Sequence, residues 1–240
     1  MSNPYQAPAE PTSTVNPSLG HLHIYRSLGG LTSIITVLLV FGVAGSVAQT
    51  LAAFSQLDLL QRANIGLVIT QAEASANDAR MVSISLGAVG IYLVTAIVFG
   101  VWIVRAHKNL RALKIERLSY TPGWALGWFF VPFLNLVRPF QAMTELWQAS
   151  HAGSEWYKSG SVTLVNFWWG IWLVHNFYGS LIGRAFASDE TVSDLILATK
   201  VNMVGFLIHI PLCFLALKLV RRIHNAQETL GTPSQGMDQF

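Results

Sequence analysis

The first apolar stretch of the chain decides its structural class. Residues 27–57 read SLGGLTSIITVLLVFGVAGSVAQTLAAFSQL and contain no Asp, Glu, Lys or Arg. A helix crosses the hydrocarbon core of a bilayer with about 20 mostly apolar residues, each of which rises 1.5 Å. Because backbone polar groups in hydrocarbon must be satisfied within the segment, this stretch predicts a membrane-spanning helix.

The composition of the whole chain agrees with a membrane protein. Charged residues make up 11% of the 240 residues and hydrophobic residues 52%, whereas an ordinary soluble domain has about 25% charged residues. These values exclude both an ordinary soluble domain and a disordered chain. The single cysteine, Cys213, excludes an intramolecular disulfide framework and a zinc site built on paired cysteines.

Four further stretches lack charged residues, namely 81–104, 118–137, 159–183 and 201–217. The stretch 118–137 differs from the others because Pro122 and Pro132 oppose a straight spanning helix. We therefore predict an all-α membrane protein with four transmembrane helices in two hairpins. The spans are 29–54, 81–104, 162–185 and 197–220. An amphipathic, aromatic-rich segment, 118–150, is expected between the hairpins as an interfacial or re-entrant element.

The distribution of basic residues predicts the orientation. Eleven of the 15 Lys and Arg residues fall on the side that holds both termini and the connection between the second and third spans. The positive-inside rule therefore predicts cytoplasmic termini. Residues 1–24 are expected to be a disordered Pro-rich tail, 25–227 the four-helix domain, and 228–240 a flexible tail. The net charge of +3 follows from this arrangement, and no nucleic-acid partner is predicted.

The connection after the second span carries the candidate binding residues. Its basic side chains suit an anionic leaflet or an unidentified protein partner, although ordinary positive-inside anchoring explains them equally. Aromatic rings in the segment 118–150 suit the headgroup level. In the helix expected after Pro139, Met143 and Trp147 lie on an apolar face. Glu145 is expected either on a solvated face or in a cytoplasmic polar cluster with Arg138 and Asn135. The residues predicted to contact lipid or a partner are Arg105, Lys108, Arg111, Lys114, Arg117, Trp124, Trp128, Arg138 and Trp147.

The same central segment carries a family resemblance. Its string is Pro122-Gly123-Trp124, Gly127-Trp128-Phe129, Pro132, Asn135-Leu136, Arg138-Pro139, Gln141-Ala142-Met143, Glu145, Trp147 and Ala149-Ser150. This string, with His107-x-Asn109-Leu110 and Val220-Arg221-Arg222-Ile223, resembles the DUF4328 family. The resemblance covers most of 25–227. It implies a four-helix bacterial membrane protein with an amphipathic insert, located in the inner membrane, and it brings no known activity or catalytic residues.

Histidines at two levels are the other candidate functional groups. His175 and His209 fall near the middles of the third and fourth spans, where polar side chains usually face the bundle interior. An interhelical hydrogen bond, an axial pair for a b-type haem, and a proton or ion path are the three interpretations. Two histidines are too few for a zinc site. His107 and His224, just beyond two span ends, are interpreted as interfacial anchors.

Small residues four positions apart mark places where helices can approach closely. The three pairs are Gly42 with Ser46, Ser83 with Gly87, and Gly179 with Gly183. Pro211, two residues after His209, is expected to kink the last span and to favour a polar cavity at mid-depth.

The usual signatures of enzymes are missing from the sequence. There is no GxSxG, HExxH, GxxxxGK[ST] or GxGxxG pattern, and no Asp or Glu lies inside the four spans. We therefore predict no catalytic residues, no metal site and no cofactor. The expected function is a non-enzymatic membrane interaction or scaffolding module. The alternatives are a b-type haem electron-transfer protein and a component of small-solute or ion transport.

Overall fold

The computed structural model describes residues 24–158, 160–185 and 191–232. These residues form helices and their connections, and no strand occurs among them. The α-helices are α1 Gly29–Asn64, α2 Gln71–Ala112, α3 Pro122–Gly127, α4 Arg138–Ala152, α5 Thr163–Ala185 and α6 Val192–Gly231. Short 3-10 turns occupy Trp128–Phe130, Leu134–Leu136 and Gly153–Lys158. The predicted tail 1–24, except for Ile24, lies outside the described residues.

Three helices are long and apolar enough to cross a membrane: α1, α2 and α6. α5 coincides with the third predicted span, but it is not among them. Its 23 residues include Asn166, His175 and Asn176, which lower its mean hydropathy. The prediction of an all-helical fold is therefore confirmed for the described residues, and three of the four predicted spans lie in helices long and apolar enough to cross a membrane.

The long helices extend beyond the predicted spans. α2 begins at Gln71 because Thr70 and Glu73 form a capping box. The Thr70 hydroxyl accepts from the Glu73 amide at 3.2 Å, and the Glu73 carboxylate accepts from the Thr70 amide at 3.1 Å. Helix α6 ends at Gly231, well beyond the predicted end of the last span at residue 220. The prediction that 228–240 is a flexible tail is therefore wrong for 228–231.

The long helices pack in the order α2, α1, α6, α5. α1 has its most extensive contacts with α6, while α2 packs against α1 and α5 packs against α6. At one end of this row, α3 lies on α2, and α4 contacts α2, α5 and α6. We call this end, where α1 begins and α2 and α6 finish, the basic end.

Most of the core lies at the basic end. Trp102 is fully buried there, and its indole Nε1 donates to the Thr32 hydroxyl at 3.2 Å. Other fully buried side chains are Leu28, Ile103, Leu110, Leu146, Leu219 and Ile223. The part of α2 before Gly100 is mostly exposed instead, and Leu86 and Ile97 there are each 67% exposed. Such a continuous exposed apolar surface is typical of a face in contact with lipid.

Candidate functional site

A buried polar network holds the basic end together. The Gln227 side chain is fully buried, and its Nε2 donates to the Ala106 carbonyl at 3.1 Å and the Ser150 hydroxyl at 3.0 Å. Asn109 Nδ2 donates to Gln227 Oε1 at 3.1 Å and to the Arg26 carbonyl at 2.9 Å. The Arg26 amide donates back to Asn109 Oδ1 at 3.1 Å. The network therefore joins α2, α4, α6 and the segment before α1, and a satisfied buried network of this kind is rigid.

His107 lies beside this network and is buried in protein. Its Nδ1 donates to the Ile103 carbonyl at 2.9 Å, and its Nε2 has no hydrogen-bond partner among the described residues. A charged ring at such a site would be costly. The interpretation of His107 as an interfacial anchor is therefore wrong. His224 is partly exposed, and its Nδ1 lies 3.6 Å from a Glu228 carboxylate oxygen.

Glu145 is also buried, so its predicted place on a solvated face is wrong. Its carboxylate accepts from the Ser119 amide at 2.6 Å and from the Tyr120 amide at 3.1 Å. The residue thereby fastens the α2–α3 connection onto α4. Burial raises the pKa of Glu145, although the two amide hydrogen bonds and the Arg111 guanidinium oppose this effect.

The predicted basic residues do not form one patch. Arg111 turns toward the protein, where its Nη2 donates to the Tyr120 carbonyl at 3.4 Å. The Arg117 guanidinium stacks 5.0 Å from the centre of the Tyr157 ring. Arg138 lies 5.7 Å over the Trp128 ring. Lys114 is exposed to solvent. Arg105 and Lys108 face a common cleft.

The predicted aromatic residues also divide into two groups. Trp124 is 54% exposed and its ring lies 4.8 Å from that of Trp128, so this pair stays on the surface. Trp147 is buried, and its indole Nε1 donates to the Ser161 carbonyl at 3.1 Å. Its predicted contact with lipid or a partner is therefore wrong. Helix α4 packs against the bundle, because Met143 and Leu146 join the core.

The cleft in front of Arg105 and Lys108 has a volume of about 840 Å³. It lies between α2 and α3, and Arg26 lines it at the basic end. Gly100 on α2 allows α3 to approach, because a Cβ atom there would lie 3.1 Å from Leu126 Cδ1. Sequence reasoning missed the cleft, since the docking of α3 onto Gly100 leaves no periodic signal.

The two histidines predicted at mid-span lie next to each other. The ring centres of His175 and His209 are 5.3 Å apart. His209 Nδ1 lies 2.8 Å from the Ser46 hydroxyl, and Cys213 Sγ lies 3.7 Å from its Nε2. His175 Nδ1 has no hydrogen-bond partner among the described residues. His209 thus forms an interhelical hydrogen bond between α6 and α1, whereas His175 forms none through Nδ1 among the described residues.

One predicted small-residue pair lies at this crossing. A Cβ atom on Gly42 would lie 3.4 Å from His209 Cε1 and 3.5 Å from Cys213 Sγ. Gly42 and Ser46 therefore mark where α6 meets α1. Gly87 and Gly179 have no neighbour of this kind in the described part of the chain, so neither of these two glycines marks a close helix contact there.

In the described arrangement, the rings of the histidine pair lie closer together than two axial ligands of one haem iron. Metal–imidazole bonds are about 2.0 Å, so two opposed ligands on one iron place their ring centres about 6 Å apart. The observed 5.3 Å is shorter, and the rings are inclined by 38°. Among the residues described, no group of three or more His, Cys, Asp or Glu side chains is suited to hold a metal ion.

A family model described as "Domain of unknown function (DUF4328)" matches residues 66–225. The chain belongs to this family. No curated protein and no solved structure matches the chain. The DUF4328 match begins after α1, so it is narrower than the 25–227 expected from the resemblance.

The DUF4328 match contains most of the candidate groups. The α2 and α3 walls of the cleft, Glu145 and both mid-span histidines lie inside it. Arg26 and Ser46 lie outside it. Since the description of DUF4328 states no activity, the function has to be argued from the geometry of these groups.

Proposed function

We propose that this DUF4328 protein is a non-enzymatic interaction module of the bacterial inner membrane, with four spans in two hairpins and both termini in the cytoplasm. The observation that carries the proposal is the difference between the two ends of the bundle. The basic end is a rigid, hydrogen-bonded platform with exposed cations, and the helices leading away from it expose apolar side chains.

The outward face of α5 supports a fourth span. Phe167, Val174, Phe177 and Leu181 are each at least 52% exposed. Their spacing of seven, three and four residues puts them on one side of a helix. An apolar stripe of this kind on a helix that packs along α6 is suited to lipid.

The charges at the two ends support the orientation. Lys108, Arg221 and Arg222 are exposed at the basic end. At the opposite end, Arg62 is paired with Asp58 and with Glu73, each at 3.2 Å. Unpaired cations are thus concentrated at one end, which the positive-inside rule assigns to the cytoplasm.

Cysteine labelling tests the spans and the orientation. In a Cys213→Ala background, a membrane-impermeant maleimide is applied to intact cells carrying Gln71→Cys, Lys114→Cys or Thr191→Cys. We expect labelling of the Gln71 and Thr191 variants from outside and of the Lys114 variant only after permeabilisation. If α5 does not cross, Thr191 stays inside, and protection of Thr191→Cys would contradict four spans.

A binding assay tests the interaction role. The full protein in phosphatidylcholine nanodiscs is mixed with phosphatidylglycerol vesicles, and association is measured by flotation. Lys114→Glu is expected to weaken association because Lys114 is exposed at the basic end. Lys200→Glu makes the same charge reversal near the opposite end and is the control. Equal binding by the two variants and the unaltered protein would contradict the role.

Transport is the second candidate, because a cleft of about 450 Å³ lies at the histidine pair. Tyr92, His175, Asn176 and Ser180 bring polar groups to this cleft at mid-span. A proton path through it predicts that His209→Ala slows acidification of proteoliposomes that enclose a pH-sensitive dye. Identical acidification with the protein and with empty liposomes would exclude this candidate.

A further inference from the structure

The cleft at the basic end joins an apolar channel to a group of cations. Leu93, Ala96 and Ile97 lie along its α2 wall, and the facing wall is formed by Leu126 of α3 and by Phe130 in the turn that follows α3. Arg26, Arg105 and Lys108 stand at one end of the channel. The cleft is thus apolar along its length and positively charged at its mouth.

The dimensions of the cleft match one leaflet of a bilayer. From Leu93 to Arg105 there are 12 helical steps, which span about 18 Å. Half of a hydrocarbon core is about 15 Å thick. With the cations at headgroup level, the apolar channel therefore extends to about the middle of the membrane.

The cations at the mouth lack a counter-charge within the cleft. No Asp or Glu is among the residues that line it in the described part of the chain. The backbone of Arg26 is fixed by its two hydrogen bonds with Asn109. The backbone that carries the Arg26 side chain is therefore held beside α2 before any ligand arrives, which lowers the entropic cost of binding.

We propose that this cleft binds one anionic glycerophospholipid, with its phosphate at Arg26, Arg105 and Lys108 and one acyl chain along α2. This inference rests on the proposed function, since it requires the basic end at the headgroup level of a leaflet. A soluble phosphate would leave the apolar channel unused. A second copy of the chain would bring three cations against the same three cations, which is unfavourable.

Native mass spectrometry of the full protein in mild detergent tests the charged mouth. The probes are dioleoyl phosphatidylglycerol and dioleoyl phosphatidylcholine. The double variant Arg105→Gln/Lys108→Gln is expected to bind phosphatidylglycerol about 25-fold more weakly, because each basic residue contributes about a factor of five. Arg221→Gln/Arg222→Gln removes the same charge from the same end outside the cleft and is expected to retain the affinity. An equal loss in the two double variants would overturn a specific site.

A second pair of variants tests the apolar channel. Ala96→Trp fills the channel and is expected to abolish binding of both lipids, whereas Val94→Trp, on an exposed position that does not line the cleft, is expected to leave binding unchanged. Retained binding in Ala96→Trp would overturn the proposal. Displacement of phosphatidylglycerol by glycerol 3-phosphate at equal concentration would also overturn it, because the acyl chain would then contribute nothing. A dimer that dissociates in Ala96→Trp would overturn it as well, because the cleft would then bind a second copy of the chain.

The two proposals fail in different ways. If the labelling of Thr191→Cys and Lys114→Cys has the expected sidedness and no lipid preference is found, the lipid site is wrong and the membrane module stands. If the sidedness is reversed, the proposed function is wrong whatever the lipid binding in detergent.

Discussion

Gln227 and Asn109 are 118 positions apart and are joined by a buried hydrogen bond of 3.1 Å. Neither amide is accessible to solvent, and both are satisfied by further partners on α2, α4 and the segment before α1. Because a buried polar group without a partner is costly, this bond links the folding of the last helix to that of the second.

Replacing Gln227 with Leu should destabilise the basic end. The change leaves Asn109 Nδ2 and the Ala106 carbonyl each short of a partner, and leaving buried groups unpaired costs about 1–3 kcal/mol. We therefore expect the free energy of unfolding in detergent to fall by about 2 kcal/mol. Asn225→Leu, two residues earlier on an exposed position, is the control. A loss of the same size in the control would show that the network contributes nothing.

Glu145 should make stability depend on pH. Since burial raises its pKa in the folded protein above the ordinary 4.5, the folded state holds this proton more tightly than the unfolded state. The stability that Glu145 contributes is therefore present below pH 4.5 and is lost as the pH rises through the raised pKa. In Glu145→Gln this contribution is missing. Unfolding curves of the two proteins between about pH 4 and 7 should differ in slope, and parallel curves would contradict the assignment.

The sequence predicted the helical class and the centres of the spans because long apolar runs without charge are typical of membrane-spanning helices. It did not place the helix ends. The start of α2 was nevertheless readable, since Thr70 and Glu73 have the spacing of a capping box. The predicted span began at residue 81, where the apolar run starts. It therefore missed the helical turns between Gln71 and that residue.

The candidate site was less predictable than the fold. Periodicity put Glu145 on a polar face of α4. Whether that face meets water depends on whether the α2–α3 connection folds back over it. That return uses Lys114 and Arg117 at φ values of 56° and 61°, a backbone conformation for which their residue types give no signal. The similar depths of His175 and His209 in their predicted spans suggested that the two rings lie close together. Ser46 was noted only as a small residue, so its hydrogen bond with His209 was not predicted.

The contact of Gly42 with His209 should make this glycine sensitive to size. A leucine there would overlap His209 and Cys213, and overpacking of this kind costs about 1–3 kcal/mol. Gly45, three residues later on α1, has open space around it and provides a matched control. We expect Gly42→Leu to lower the melting temperature in detergent and Gly45→Leu to leave it nearly unchanged. Equal stability of the two variants would mean that α6 does not cross α1 at Gly42.

The spacing of His175 and His209 predicts that the protein does not carry a haem between these rings. Their 5.3 Å separation and the hydrogen bond of His209 with Ser46 favour a role in helix packing. Protein produced with ample haem and purified in mild detergent should therefore show no Soret band that shifts on reduction with dithionite. His175→Ala provides the control for any absorbance that does appear. A Soret band that disappears in His175→Ala would show that the two helices separate to admit an iron, and would restore electron transfer as the leading function.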